Sequence, residues 1–367
     1  MNLILFFLGI IIFIEILFSI LYFIKNQTKY IKKKKYLYSK IHYTDHPHLP
    51  FVLKKKFKAV GRKEINYPIK KKYKFIAPEL KSNNLGFYNG NNGDKAVSSN
   101  KKENLIRINC LGGSTTMNYL VDNNNINTSY PIELQKVLNR FKKNRYEVNN
   151  FGQGLYNSTD LIIRYITSII YTKPDIIILY IGYNDIRSYL TDNFTSDNSH
   201  SRKNLNFSKF QIFLNFIFYD FKLNFLNYLL SKTSIYNFRE SLTNEVTCGN
   251  FNLNNSPEKG LEIFSKNVEL LIALCKHMKT RLIMSSFCHY KYAEIKNNKL
   301  HQKFHKIVDE ENKILKKLAK KNNIEFVDNS TLVERKDINF VDSIHFSKEG
   351  MKKLANNFFK KIIKSNR

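Results

Sequence analysis

The feature that most restricts the fold is the run Asp-Ile-Ile-Ile-Leu-Tyr-Ile at residues 175–181, introduced by Pro174. It has none of the apolar–polar alternation of a strand with one wet face. A short continuous apolar run of this kind suits a strand buried on both faces, which is typical of parallel sheets covered by helices on both sides. The flanking sequence supplies the rest of that arrangement. Further strands are expected at 106–111, 146–151, 281–287 and 324–327, and helices at 130–141, 161–171, 257–278, 301–320 and 347–364. In the first of these helices Ile132, Leu134, Val137, Leu138 and Phe141 recur at helical spacing. Strands alternating with helices imply a three-layer α/β/α fold around a central parallel sheet, with right-handed crossovers.

Two segments stand outside this rhythm. Residues 3–24 are almost wholly apolar, interrupted by Glu15 and Ser19. About 20 such residues suffice to cross a bilayer as a helix. A cleaved signal peptide would have a shorter apolar core, a positive start and a small-residue cleavage site. Here only Met1 and Asn2 precede the run, and Tyr22, Phe23 and Ile24 close it. One N-terminal transmembrane helix is therefore expected within residues 1–25. Residues 26–102 read as a basic spacer with a small β-rich cap, and residues 103–367 as the folded domain. Within that domain, residues 186 to about 247 form an aromatic-rich insertion, with Phe207, Phe210, Phe213, Phe216 and Phe218 among its members. A helical pair packed on the core is expected there, since Asp220 and Lys222 interrupt it as a membrane span.

The net charge of +30 would ordinarily point to nucleic acid or an anionic surface. The chain is also rich in Lys, Asn, Ile, Phe and Tyr, with no Trp, 13 Gly and 7 Pro. A bias toward A/T-rich codons produces much of that Lys excess. The basic residues run along the whole length and form no nucleic-acid-binding module, so no nucleic-acid partner is expected. Cys110, Cys248, Cys275 and Cys288 include no Cys-x-x-Cys pair, and the histidines other than His345 show no ligand spacing. No metal or organic cofactor is expected.

The chemistry gathers at the ends of the expected strands, where parallel α/β sheets bind ligands. Gly112-Gly113-Ser114-Thr115 follows the first strand and places a hydroxyl where a helix should begin. Asn149-Asn150-Phe151-Gly152-Gln153-Gly154-Leu155 ends the second, with a turn able to aim a backbone N–H at the same point. Gly182-Tyr183-Asn184-Asp185 ends the most apolar strand, and the Asn184 amide could donate to a developing oxyanion. Asp342-Ser343-Ile344-His345 lies just before the last helix, with Ser347 as its expected N-cap. A serine hydroxyl needs a positioned base, and a carboxylate fixes the tautomer of the histidine that serves it. Taken singly, each segment is equally the sequence of an ordinary turn or cap.

In this order the four segments resemble the SGNH (GDSL-like) hydrolase superfamily over residues 105–367. Gly112 to Thr115 resembles its block I, Gly152 to Leu155 block II, Gly182 to Asp185 block III and Asp342 to His345 block V. Ser82-Asn83-Asn84-Leu85-Gly86-Phe87 is similar to a segment ahead of this domain in some membrane-anchored relatives. The resemblance implies a flavodoxin-like fold and a triad of Ser114, His345 and Asp342. It also implies an oxyanion hole from the Ser114 N–H, a block II N–H and the Asn184 side chain. The Asp of the family's Gly-Asp-Ser is Gly113 here, and the block II donor falls on Gly154 or Leu155 according to the alignment. The implied activity is carboxylic ester hydrolysis through an acyl-enzyme, with an acylated small molecule, envelope glycan or lipid as substrate. O-acyl transfer by the same triad, and a non-catalytic carbohydrate-binding or scaffold role, are the competing readings. The Lys-rich flank at Lys25, Lys29 and Lys32 favours a cytoplasmic domain by the positive-inside rule. Because Lys continues throughout the chain, the resemblance to anchored envelope enzymes tips the expectation to the extracytoplasmic side.

Overall fold

The computed structural model describes residues 6, 9–10, 12–17, 43–44, 46–59, 80–88, 96–117, 128–201, 252–290 and 299–364. The chain divides into two compact units, Met1–Leu37 with Arg202–Thr247, and Tyr38–Ser201 with Cys248–Arg367. Among the described residues no helix is long and apolar enough to cross a membrane. The expected anchor at 1–25 and the expected helical pair within the insertion lie largely outside the described residues. Those of the anchor that are described are helical, with Phe6, Ile12 and Phe13 exposed.

The second unit is built on five parallel strands: β1 (Ile106–Gly112), β2 (Tyr146–Gly152), β3 (Ile176–Tyr180), β4 (Arg281–Ser285) and β5 (Glu325–Val327). Their order is β2-β1-β3-β4-β5. This is the flavodoxin-like doubly wound order, whose switch point lies between β1 and β3. All five residues of β3 are buried, as a central strand covered on both faces requires. Arg107 and Glu147 face each other across β1 and β2 as a buried ion pair, with Nε 2.9 Å from Oε2.

Helices cover both faces. The one-turn α1 (Ser114–Met117) follows β1, and α2 (Tyr130–Phe141) leads to β2. After β2 comes α3 (Ser158–Arg164), and after β3 comes the one-turn α4 (Ile186–Tyr189). The long α5 (Glu258–His277) and α6 (Lys299–Asn322) flank β4, the one-turn α7 (Asn329–Leu332) follows β5, and α8 (Lys348–Lys364) ends the unit. α2 and α8 pack together on one face, and α3, α5 and α6 on the other.

Two expected elements differ. The helix expected at 161–171 starts earlier, because Asn157 and Asp160 form a reciprocal capping box. It then loosens into a π turn at Tyr165–Ile169 and a 3₁₀ turn at Ile170–Thr172. Lys173 ends it in the left-handed region, immediately before Pro174, which cannot continue a helix. The insertion also begins later than expected. Ile186, Ser188, Tyr189 and Leu190 are buried in the main unit, where the Tyr189 hydroxyl donates to Glu311 Oε1 at 3.0 Å.

Of the expected cap, two short antiparallel pairs are present, Tyr43–Thr44 with Val52–Leu53 and Lys58–Ala59 with Leu80–Lys81. Tyr156 binds the cap to the domain by donating to the Phe51 carbonyl at 2.5 Å. Phe87 stacks edge-on against Phe151 at 4.5 Å, and the Arg164 guanidinium lies 4.3 Å from the centre of the Phe87 ring.

Candidate active site

Ser114 is the first residue of α1, directly beyond the carboxyl end of β1. A helix-start N–H has no acceptor within its own helix. The same residue therefore brings a hydroxyl and a backbone donor to the switch point. Close approach of backbone demands Gly112, where a Cβ would stand 2.4 Å from the Tyr180 carbonyl oxygen, whereas a Cβ on Gly113 would meet the end of the Asn184 side chain, with Nδ2 at 2.6 Å.

His345 reaches Ser114 from the far end of the chain. Residues 340–346 double back on themselves, with Phe340 and Phe346 bridged and the Val341 N–H donating to the His345 carbonyl at 2.9 Å. The Tyr290 N–H donates to the Ser343 carbonyl at 3.0 Å and ties this loop to the segment after β4. Ser347 caps α8, its Oγ accepting from the Gly350 N–H at 3.3 Å. Within the loop, Asp342 Oδ2 lies 2.7 Å from His345 Nδ1, and His345 Nε2 lies 2.9 Å from Ser114 Oγ. Asp342 Oδ1 accepts two backbone N–H groups, from Ile344 at 2.9 Å and His345 at 2.7 Å.

The side chains of His345 and Asp342 keep 26% and 22% exposure, enough for the pair to meet a ligand from outside. Burial works to depress the His345 pKa, but the adjacent Asp342 carboxylate outweighs it, so the imidazole sits above its ordinary 6.5. Burial likewise works to raise Asp342, and its charge and hydrogen bonds to His345 overcome this and hold it below the usual carboxylate value.

Asn184 is fixed from both sides. Its Nδ2 donates to the Tyr156 carbonyl at 2.9 Å, which commits one of its two amide hydrogens. The next residue, Asp185, accepts from the Ser158 N–H at 2.9 Å and from the Ser158 hydroxyl at 2.5 Å, and so binds the loop to the start of α3. Desolvation pushes the Asp185 carboxyl up to about 7. Asn184, Ser114 and Gly113 share one small cavity with Tyr183, Phe287 and Ile344.

The two block II candidates separate. A Cβ on Gly154 would stand 3.9 Å from Ser114 Cβ, and its N–H lies against Met117 Sδ at 3.2 Å. Leu155 adopts a left-handed φ of 68° and is 40% exposed. Ser114, Asp342, His345, Asn184 and Gly154 are thus brought together. Tyr156 and Phe287 also line the cavity and belong to none of the four sequence segments. Phe287 ends the expected fourth strand, and the rule that ligands bind at strand carboxyl ends would have found it. No His, Cys, Asp and Glu cluster able to hold a metal occurs among the described residues.

Residues 110–353 match the GDSL-like lipase/acylhydrolase family. Among solved structures the chain is similar to a GDSL-like lipase from Bacteroides thetaiotaomicron, at 16% identity, covering 73% of this chain and 92% of that one, with a TM-score of 0.40. It is also similar to a variant of an acetyl xylan esterase from Geobacillus stearothermophilus, at 16% identity, 70% and 94% coverage and a TM-score of 0.43. A lipase/acylhydrolase from Enterococcus faecalis matches at 13% identity, 70% and 95% coverage and a TM-score of 0.40. No curated protein matches.

Proposed function

The chain belongs to the GDSL-like lipase/acylhydrolase family, hydrolases acting on ester bonds, and on that premise we propose that it is a serine esterase working through an acyl-enzyme on Ser114. The observation that carries this is the unbroken line from Asp342 through His345 to Ser114, with contacts of 2.7 and 2.9 Å. Asp342 keeps the proton on Nδ1, leaving Nε2 as the base. As Ser114 Oγ bonds to the ester carbonyl carbon, its proton passes to Nε2 and the carbonyl oxygen becomes an oxyanion. Collapse of that intermediate breaks the ester C–O bond, and the alcohol leaves with the proton from His345. Water then repeats the sequence, releasing the carboxylic acid and restoring Ser114.

The oxyanion donors are the Ser114 N–H, the second Asn184 amide hydrogen and the Gly154 N–H. Gly154 is preferred to Leu155 because it lies against Ser114. Its N–H rests on a thioether, a weak acceptor that a developing oxyanion displaces. The ester is one carried by an envelope glycan or lipid, with the domain outside the cell behind a membrane anchor at 1–25. The apolar run of residues 3–24 supports the anchor, and the resemblance to anchored envelope enzymes supports the outer side. Protease added to intact spheroplasts should digest the domain, and protection until lysis would overturn its placement outside. The activity is tested by fluorophosphonate labelling and p-nitrophenyl acetate turnover. Ser114→Ala should abolish both while leaving thermal unfolding unchanged, and undiminished turnover in the folded variant would remove Ser114 as nucleophile.

A further inference from the structure

The space beside Ser114 is narrow. The cavity it shares with Gly113, Tyr183, Asn184, Phe287 and Ile344 has a volume of about 10 Å3, close to the least that holds one water-sized group. Its wall is a stack of aromatic rings. Phe287 lies on Tyr180 with centroids 5.0 Å apart and 16° between planes, and on Tyr183 at 6.4 Å and 21°. Tyr183 packs in turn on Phe304 at 5.1 Å.

The wall is pinned from behind. The Asn312 side chain, on α6, accepts from the Phe287 N–H at 2.6 Å and donates to the Phe287 carbonyl at 2.9 Å. The Tyr180 hydroxyl oxygen accepts from the next N–H, that of Cys288, at 3.0 Å. Gly182 lets the ring come close, since a Cβ there would stand 3.2 Å from Phe287 Cβ and 3.3 Å from its Cγ. Phe287 is therefore held by its backbone on both sides of Cα and by two packed rings.

Resting on the ester-hydrolase reading, we propose that this wall restricts the acyl group to acetyl, with Phe287 as the specificity-determining residue. Once the carbonyl carbon is bonded to Ser114 Oγ, its oxygen takes the Asn184 side of this cavity and the alkyl group is left with the side that Phe287 walls. A methyl group asks for the least room there. A longer chain must displace a ring that Asn312, Tyr180 and Tyr183 hold in place. A single methylene in an apolar pocket is discriminated by roughly 10- to 200-fold.

The test is a chain-length series of p-nitrophenyl acetate, butyrate and octanoate on the full chain, with Phe287→Ala and Phe287→Leu beside wild type. Wild type should lose about tenfold or more in kcat/KM from acetate to butyrate, and both variants should raise the butyrate-to-acetate ratio. Phe287→Leu keeps an apolar side chain and serves if Phe287→Ala fails to fold. Equal kcat/KM for acetate and butyrate in wild type, or an unchanged ratio in a folded variant, overturns the assignment. Fluorophosphonate labelling separates the two levels. Labelling at Ser114 with turnover indifferent to chain length removes only the acyl restriction, whereas absence of both labelling and turnover removes the esterase reading and this inference with it.

Discussion

Replacing Asp342 by Asn exchanges one carboxylate oxygen for an NH2 group, and the structure dictates which one. Oδ1 accepts the Ile344 and His345 backbone N–H groups at 2.9 and 2.7 Å. An NH2 group there would meet two donors, so the amide oxygen must keep that place. The new NH2 group then occupies the position of Oδ2, 2.7 Å from His345 Nδ1. A donor facing Nδ1 forces the imidazole proton onto Nε2, which then points a hydrogen at Ser114 Oγ and cannot accept one. Loss of the correct tautomer costs about 10⁴-fold in kcat, equivalent to about 5 kcal/mol. The pH profile gives a second readout. In wild type, kcat/KM should rise with pH through an ionisation above 6.5, because His345 must be neutral to act and Asp342 raises its pKa. In Asp342→Asn only the depressing effect of burial remains, so the limb should move to lower pH. The assay is p-nitrophenyl acetate turnover across the acid-to-neutral range, with thermal unfolding as the check on folding. A folded Asn variant within about tenfold of wild type, or an unmoved limb, would refute the tautomer argument.

Asn184→Ala should lower kcat by roughly 10²- to 10³-fold with little change in KM, and a pure KM effect in steady-state kinetics would instead make Asn184 a substrate-binding residue. The Asp185 carboxyl, raised by desolvation from 3.8 to about 7, keeps its proton where the unfolded chain has lost it. Its contribution to stability should therefore fall as pH rises from about 4 to about 7 and level off above. Asp185→Asn should flatten that slope in thermal melts taken across the window. Arg107→Met removes a buried guanidinium that pairs with Glu147 and donates to the Ser98 and Thr172 carbonyls, and urea unfolding should register a loss of about 3–5 kcal/mol.

The parts of this molecule that sequence reveals are those whose cause is local. A strand buried on both faces has to be written in consecutive apolar residues, and 175–181 is. Asp342 and His345 are three positions apart, so one tight loop brings them together and no other part of the chain is needed to see it. The acyl wall is different. Phe287, Tyr180 and Tyr183 are three rings among 29 Phe and 22 Tyr, and nothing in their spacing separates them from core. They become a wall only because Asn312, 25 residues further on, clamps the Phe287 backbone from α6. Gly113 lies between these cases. As a departure from Gly-Asp-Ser it is plain in the sequence, but its reason is tertiary. A Cβ on residue 113 would stand 2.6 Å from Asn184 Nδ2, and that amide is held by the Tyr156 carbonyl at 2.9 Å. A side chain at 113 would therefore require the Asn184 amide to shift, a coupling between two strand ends that neither segment displays by itself.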